Sequence, residues 1–128
     1  MSYSAAVRRH FHEPSNAGAM AGAADGRVRG EAGSAAAGTR VVFWARIEDQ
    51  RIVAMSFQAL ACPHVIAACS RTTELLSGQA LAAARAFDPQ LLMAELQIPP
   101  DKLGRLLIVE DALRNCFAAW DTTQLAGA

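Results

Sequence analysis

Polar and apolar positions alternate most cleanly over residues 40–48, where Val41, Phe43, Ala45 and Ile47 fall on one side and Val42, Trp44, Arg46 and Glu48 on the other. A period of two puts the two sets on opposite faces of a strand, and the polar end of the second set predicts partial exposure there. Glu48-Asp49-Gln50 is a polar turn of hairpin length, after which residues 51–60 return with Val53, Met55 and Phe57 on one face. The two segments therefore make an antiparallel pair. Helical spacing then takes over. Pro63 suits the first helical position, where its missing amide costs nothing, and Gly78 suits a C-terminal cap, which predicts a helix over 63–77. Its broad apolar face carries Val65, Ile66, Cys69, Thr73 and Leu76. A short helix is expected over 80–87, and Asp88-Pro89 caps another running to about residue 96. Pro99-Pro100 interrupts the chain, and residues 103–120 space Leu103, Leu106, Leu107, Leu113, Phe117 and Trp120 as one closing helix.

The flanking segments are weaker in pattern. Over residues 4–12, Val7 and Phe11 lie four apart with arginines between them, and Pro14 follows, predicting a short amphipathic helix that docks one apolar stripe. Residues 15–38 are dominated by Gly and Ala, with Asp25-Gly26 as a turn signal and Val28 as the strong strand former. Such composition predicts a mobile stretch with one weak edge strand near residues 27–32. The fold class is α+β, a small antiparallel sheet covered by helices, in a single domain spanning residues 1–128.

Composition narrows the function. Twelve basic side chains balance twelve acidic ones over 128 residues, so no net field draws the chain to nucleic acid or a membrane surface. No apolar run approaches the roughly 20 residues that cross a bilayer, and residues 1–14 lack an apolar signal core; the expectation is a cytoplasmic protein that meets a protein or small ligand. Cys62, Cys69 and Cys116 are too sparsely spaced for a metal knuckle or a disulfide framework. On one helix, Cys62 and Cys69 would stand about 10.5 Å apart, beyond the ~7 Å that a disulfide spans.

Of these residues, Cys62 alone has a position that favours chemistry. It precedes Pro63 at the expected N-cap, where free amides and the helix dipole stabilise a thiolate. His64, two residues on, is either a second donor or a surface or capping histidine. Lys102 and Arg105 form a candidate anion site beside Cys62, if they are more than two solvated cations. Cys69 and Cys116 read as core residues, and His10 and His12 as imidazoles meeting the C-terminal dipole of the first helix.

Several stretches recur in one order from Tyr3 to about Trp120: Tyr3-Ser4 to His10-Phe11, then Pro14, Asn16 and Gly18; Phe57 to Cys62 with Ile66-Ala67; Thr73-Glu74 with Gly78; Leu96 to Lys102; and Glu110 to Leu113. Together they resemble the IscU and NifU N-terminal family of iron–sulfur scaffolds. The resemblance implies a sheet of about three strands with helices on one face, a cluster-building role without enzymatic turnover, and a cysteine desulfurase and chaperones as partners; a degenerate member would instead engage the desulfurase or a genuine scaffold. It also implies a site for iron–sulfur cluster or zinc, built from five donors. Carried onto this chain, those positions are Ala37, Thr39, Cys62, Gly104 and Arg105, so one thiol survives and a guanidinium stands where a ligand is expected. The family's chaperone-docking loop maps to Ile98-Pro99-Pro100-Asp101-Lys102, where the Asp101 carboxylate would pay a desolvation cost in an apolar groove; this argues against an Hsp70-type chaperone as partner. Two readings follow: a degenerate scaffold acting as a binding module, or a sulfur or cluster carrier that uses Cys62 as persulfide acceptor or iron ligand.

Overall fold

The computed structural model describes residues 3–20 and 26–126. Helix α1 (Ala5–His12) is followed by strands β1 (Arg27–Ser34), β2 (Thr39–Glu48) and β3 (Arg51–Leu60), then by helices α2 (Pro63–Leu76), α3 (Leu81–Arg85), α4 (Leu92–Glu95) and α5 (Leu103–Ala126). The strands form an antiparallel sheet in the order β1-β2-β3. Phe43 and Met55 on its inner face pack with Val65 and Cys69 of α2 and with Val109, Leu113 and Phe117 of α5. A second apolar cluster joins Val7 of α1 and Ala67 of α2 to Leu92, Leu96 and Leu106.

The strand pair, its turn and the helix opened by Pro63 lie where alternation and capping put them. Four expectations need correction. The glycine-rich stretch is not simply mobile: residues 27–34 form a regular strand paired with β2 along its whole length. Asp25, half of the expected turn there, lies outside the described residues. Val53 does not join Met55 and Phe57, because a bulge at Arg46/Ile47 shifts the register, leaving Val53 47% exposed and burying Ile52 in its place. The segment 88–96 is a 3-10 turn (Pro89–Leu91) running into α4 rather than one helix. The last helix continues past Trp120 to Ala126.

Helix α1 also docks differently. Val7 is fully buried, but Phe11 is 40% exposed and the second inward residue is His10. Its Nδ1 lies 2.8 Å from Ser70 Oγ, which accepts from the Ser15 amide at 2.8 Å, so the hydroxyl has its own proton for a neutral imidazole. His10 is thus a buried tie between α1, α2 and the following turn, not a cation on the helix dipole. Burial holds it below the ordinary histidine value of 6.5, partly opposed by Glu74, with Arg9 and Arg71 adding to the depression. His64 is lowered as well, by burial and then by Lys102. A histidine whose folded pKa is depressed takes up its proton more readily in the unfolded chain, so its contribution is complete above 6.5 and is lost as pH falls. The urea midpoint should therefore drop between about pH 7 and about pH 5, and His10→Gln should flatten that slope. A midpoint unchanged over this range would contradict the account.

Candidate functional site

Three segments meet at one end of the sheet. The hairpin between β1 and β2 turns through residues 35–38, with the Gly38 amide donating to the Ala35 carbonyl at 3.0 Å and the Ala37 amide to Ser34 Oγ at 3.1 Å. Arg40, just past it, pairs with Leu60 at the end of β3, two residues before Cys62. Helix α5 runs beneath β1 so closely that a side chain at Gly33 would come within 3.1 Å of Ile108, one turn beyond Gly104 and Arg105. Hairpin, β3–α2 junction and first turn of α5 therefore bring Ala37, Cys62 and Arg105 to the same end.

Cys62 is the N-cap of α2, half-buried, with extended torsions, and its carbonyl accepts from the Val65 and Ile66 amides at 3.1 Å. The sulfur makes no capping hydrogen bond of ordinary length. Burial alone would push the thiol up, but the Val65 amide, the Arg105 guanidinium and the His64 amide outweigh it and hold Cys62 below its ordinary value. Cys69 and Cys116 behave oppositely: both are buried in the core, which raises the first strongly and pushes the second up to about 12. Alkylation followed by peptide mass should find Cys62 modified fastest at neutral pH. Arg105→Gln should move its reactivity to higher pH. Equal rates at the three cysteines would make Cys62 a packing residue.

The remaining candidates divide. Arg105 bears on Cys62 and, together with Lys102, on His64, where Asp101 opposes them; Lys102 is not among the groups that lower the Cys62 thiol. His64 is neither a surface nor a capping residue: it is 1% exposed, its ring meets Tyr3 edge-on with centroids 4.8 Å apart, and its Nδ1 has no hydrogen-bond partner among the described residues. Two residues from Cys62 on a helix, it faces away from the thiol. Thr39 is 3% exposed at the start of β2 and is not a loop residue. Ala37 and Gly104 are exposed and bear no donor atoms. Among the described residues no three His, Cys, Asp or Glu side chains gather as metal donors. One thiolate beside a guanidinium does not fit a cluster or a zinc ion held by this chain alone. A cleft of about 620 Å³ opens alongside, with Phe11, Arg40, Leu60 and Ile66 in its walls.

This architecture, three antiparallel strands backed by helices with hairpin, α2 and α5 converging at one end, defines a scaffold-type α+β domain. The chain belongs to the NifU-like N terminal domain family, which matches residues 2–126. It is 28% identical to the iron-sulfur cluster assembly scaffold protein IscU of Escherichia coli K12, over 98% of this chain and 99% of that one. It is also 28% identical to the mitochondrial iron sulfur cluster assembly protein 1 of Yarrowia lipolytica, covering 94% of this chain and 67% of the relative. In fold it matches the crystal structure of a nitrogen-fixing NifU-like protein (N-terminal) from Brucella abortus, with a TM-score of 0.68 at 15% identity over 92% of this chain and 93% of that one.

Proposed function

We propose that this protein serves iron–sulfur cluster assembly as a scaffold-fold binding module, engaging a cysteine desulfurase or a cluster-bearing scaffold without building a cluster itself. The observation that carries this reading is the convergence of three segments that keep the family's frame while bringing together Ala37, Gly104 and Arg105 with a single thiol, Cys62. A cluster is the cargo of this pathway, and its iron needs several thiolate or equivalent donors. Anaerobic incubation with ferrous iron and sulfide is therefore expected to leave no charge-transfer band after desalting. A stable band with about two irons per chain would overturn the reading. A purified desulfurase should be retained by both the parent chain and Cys62→Ala.

The depressed Cys62 thiol favours a second reading, that of a sulfur carrier. The Cys62 thiolate would attack the outer sulfur of a donor persulfide. A new bond to that sulfur forms, the donor sulfur–sulfur bond breaks, and its electron pair leaves on the donor thiolate, so no external oxidant or reductant is needed. The mass gain of one sulfur atom at Cys62, absent from Cys62→Ala, is the signature; no gain in the presence of an active donor removes this reading.

A further inference from the structure

The sheet has a second face, turned away from α2 and α5, and its side chains are unlike the rest of the chain. Arg27 and Arg29 of β1 and Arg40 and Arg46 of β2 alternate onto it around Trp44, with Glu31 among them and Glu48 at one end. Arg27 stands directly opposite Arg46 in the register, a like-charge pairing that costs stability in a sheet. Glu31 is already shared, 3.2 Å from Arg29 and 2.7 Å from Arg40, and among the described residues neither Arg27 nor Arg46 makes an ion pair. Glu48 at the end of β2 shares this face and stands opposite Arg51 of β3, so five arginines face two carboxylates, an excess of three. The whole chain is neutral, so the arginines are segregated and not merely abundant.

We infer that this arginine band is a docking surface for an acidic face of a partner protein. The band follows two neighbouring strands from the Arg27–Arg46 pair to Arg40, roughly 20 Å at a strand rise of about 3.3 Å, the length of an acidic helix of about thirteen residues. It ends beside Leu60, two residues before Cys62, so a partner lying along it reaches the thiol end of the sheet. The charge complementarity fits a carboxylate surface better than a nucleic-acid strand. Arg29 already lies over the Trp44 ring, 5.8 Å from its centroid, which removes the stacking plane that bases use. The inference stands apart from the role of Cys62.

The test uses the intact protein and a fluorescent peptide of about thirteen residues, mostly glutamate, with single-stranded oligothymidine and phosphatidylserine vesicles as competing probes. The peptide should bind at about 50 mM salt and weaken at least tenfold by about 300 mM. Arg27→Gln combined with Arg46→Gln should weaken it about tenfold or more, while Arg114→Gln on α5 leaves it unchanged. The double variant relieves a like-charge pair and gives up the 2.7 Å hydrogen bond from Arg27 to the Met20 carbonyl, so it should melt close to the parent. If it fails to fold, amide shifts of β1 and β2 on adding peptide to the parent chain decide instead. Absence of peptide binding, shifts confined elsewhere, or tighter binding of oligothymidine or vesicles would overturn the inference.

Discussion

Replacing Gly30 with alanine is expected to disrupt the seat of α5 on the sheet, the largest single-residue effect on stability that the structure implies. A methyl group there would lie 2.0 Å from the Cys116 amide nitrogen, 2.5 Å from its Cα and 2.6 Å from the Ala112 carbonyl oxygen. All three atoms are backbone, so no side-chain rotation relieves the clash. Helix α5 would have to lift by more than 1 Å along the stretch where Ala112, Leu113, Cys116 and Phe117 meet the sheet. Overpacking a core costs about 1–3 kcal/mol when side chains give way. Here a helix must move, so about 3 kcal/mol or more is expected, a large part of the roughly 5–15 kcal/mol that holds a domain together. Urea unfolding followed by circular dichroism measures this directly. Gly104→Ala is the internal control: nothing lies within 4 Å of the added carbon, and the site is helical, so the same substitution should be neutral or stabilising by up to about 1 kcal/mol. If Gly30→Ala unfolds within about 1 kcal/mol of the parent, the close approach of α5 to β1 is absent in solution.

Gly30 also marks where sequence reading ran out. Strands β2 and β3 were legible because one face of each is buried, and burial writes itself as a period of two. Helix α2 was legible because a proline and a glycine bracket it. Strand β1 carries the same alternation, Arg27-Val28-Arg29-Gly30-Glu31, but glycine replaces the expected apolar side chain where the helix backbone takes its place. A close helix–strand contact thus looks, in sequence, like flexibility. The bulge beyond Arg46 was hidden for a related reason: it changes which residues face inward without changing composition.

The site was legible by position and not by surroundings. Cys62 as the cap of α2 follows from Pro63 alone, and its lowered thiol follows from that cap together with Arg105. How Lys102 and Arg105 bear on Cys62 and His64 depends on how the turn at Pro100–Lys102 meets α5, which local sequence does not encode. The sequence places His10 at the C-terminal dipole of the first helix and leaves His64 as a second donor or a surface or capping residue, because histidine in a short helix or beside a cap is usually solvated. Tertiary packing against Ser70 and Tyr3 buries both. The arginine band had a visible signal in the alternation of Arg27 and Arg29 with Arg40, Trp44 and Arg46. Its meaning required the register that puts Arg27 across from Arg46.

Placing donors at the converged end should give a zinc protein. The variant combines Ala37→Cys, Gly104→His and Arg105→Cys with native Cys62, which supplies three thiolates and an imidazole, a set that tetrahedral zinc accepts. Ala37 and Gly104 are exposed, and no atom lies within 4 Å of a side chain added at Gly104, so neither change should strain the fold. Arg105→Cys adds a ligand and also removes the guanidinium that opposes a cation. Thr39 is left in place, because it is 3% exposed and an aspartate there would bury a carboxylate that only a bound cation could compensate. Zinc binding in the submicromolar range is expected where the parent binds none tightly. With free zinc at about 1,000 times the dissociation constant, mass action adds about 4 kcal/mol to stability, enough to read as a rise in unfolding temperature. Adding Cys62→Ala to the same background should remove one ligand of four and abolish tight binding. Adding Thr39→Asp should lower the stability of the metal-free protein and recover it when zinc is present, if residue 39 faces the metal. A folded variant that titrates no zinc would mean that hairpin, α2 and α5 do not bring these positions within bonding distance of one ion, and the assignment of the site would fall with it.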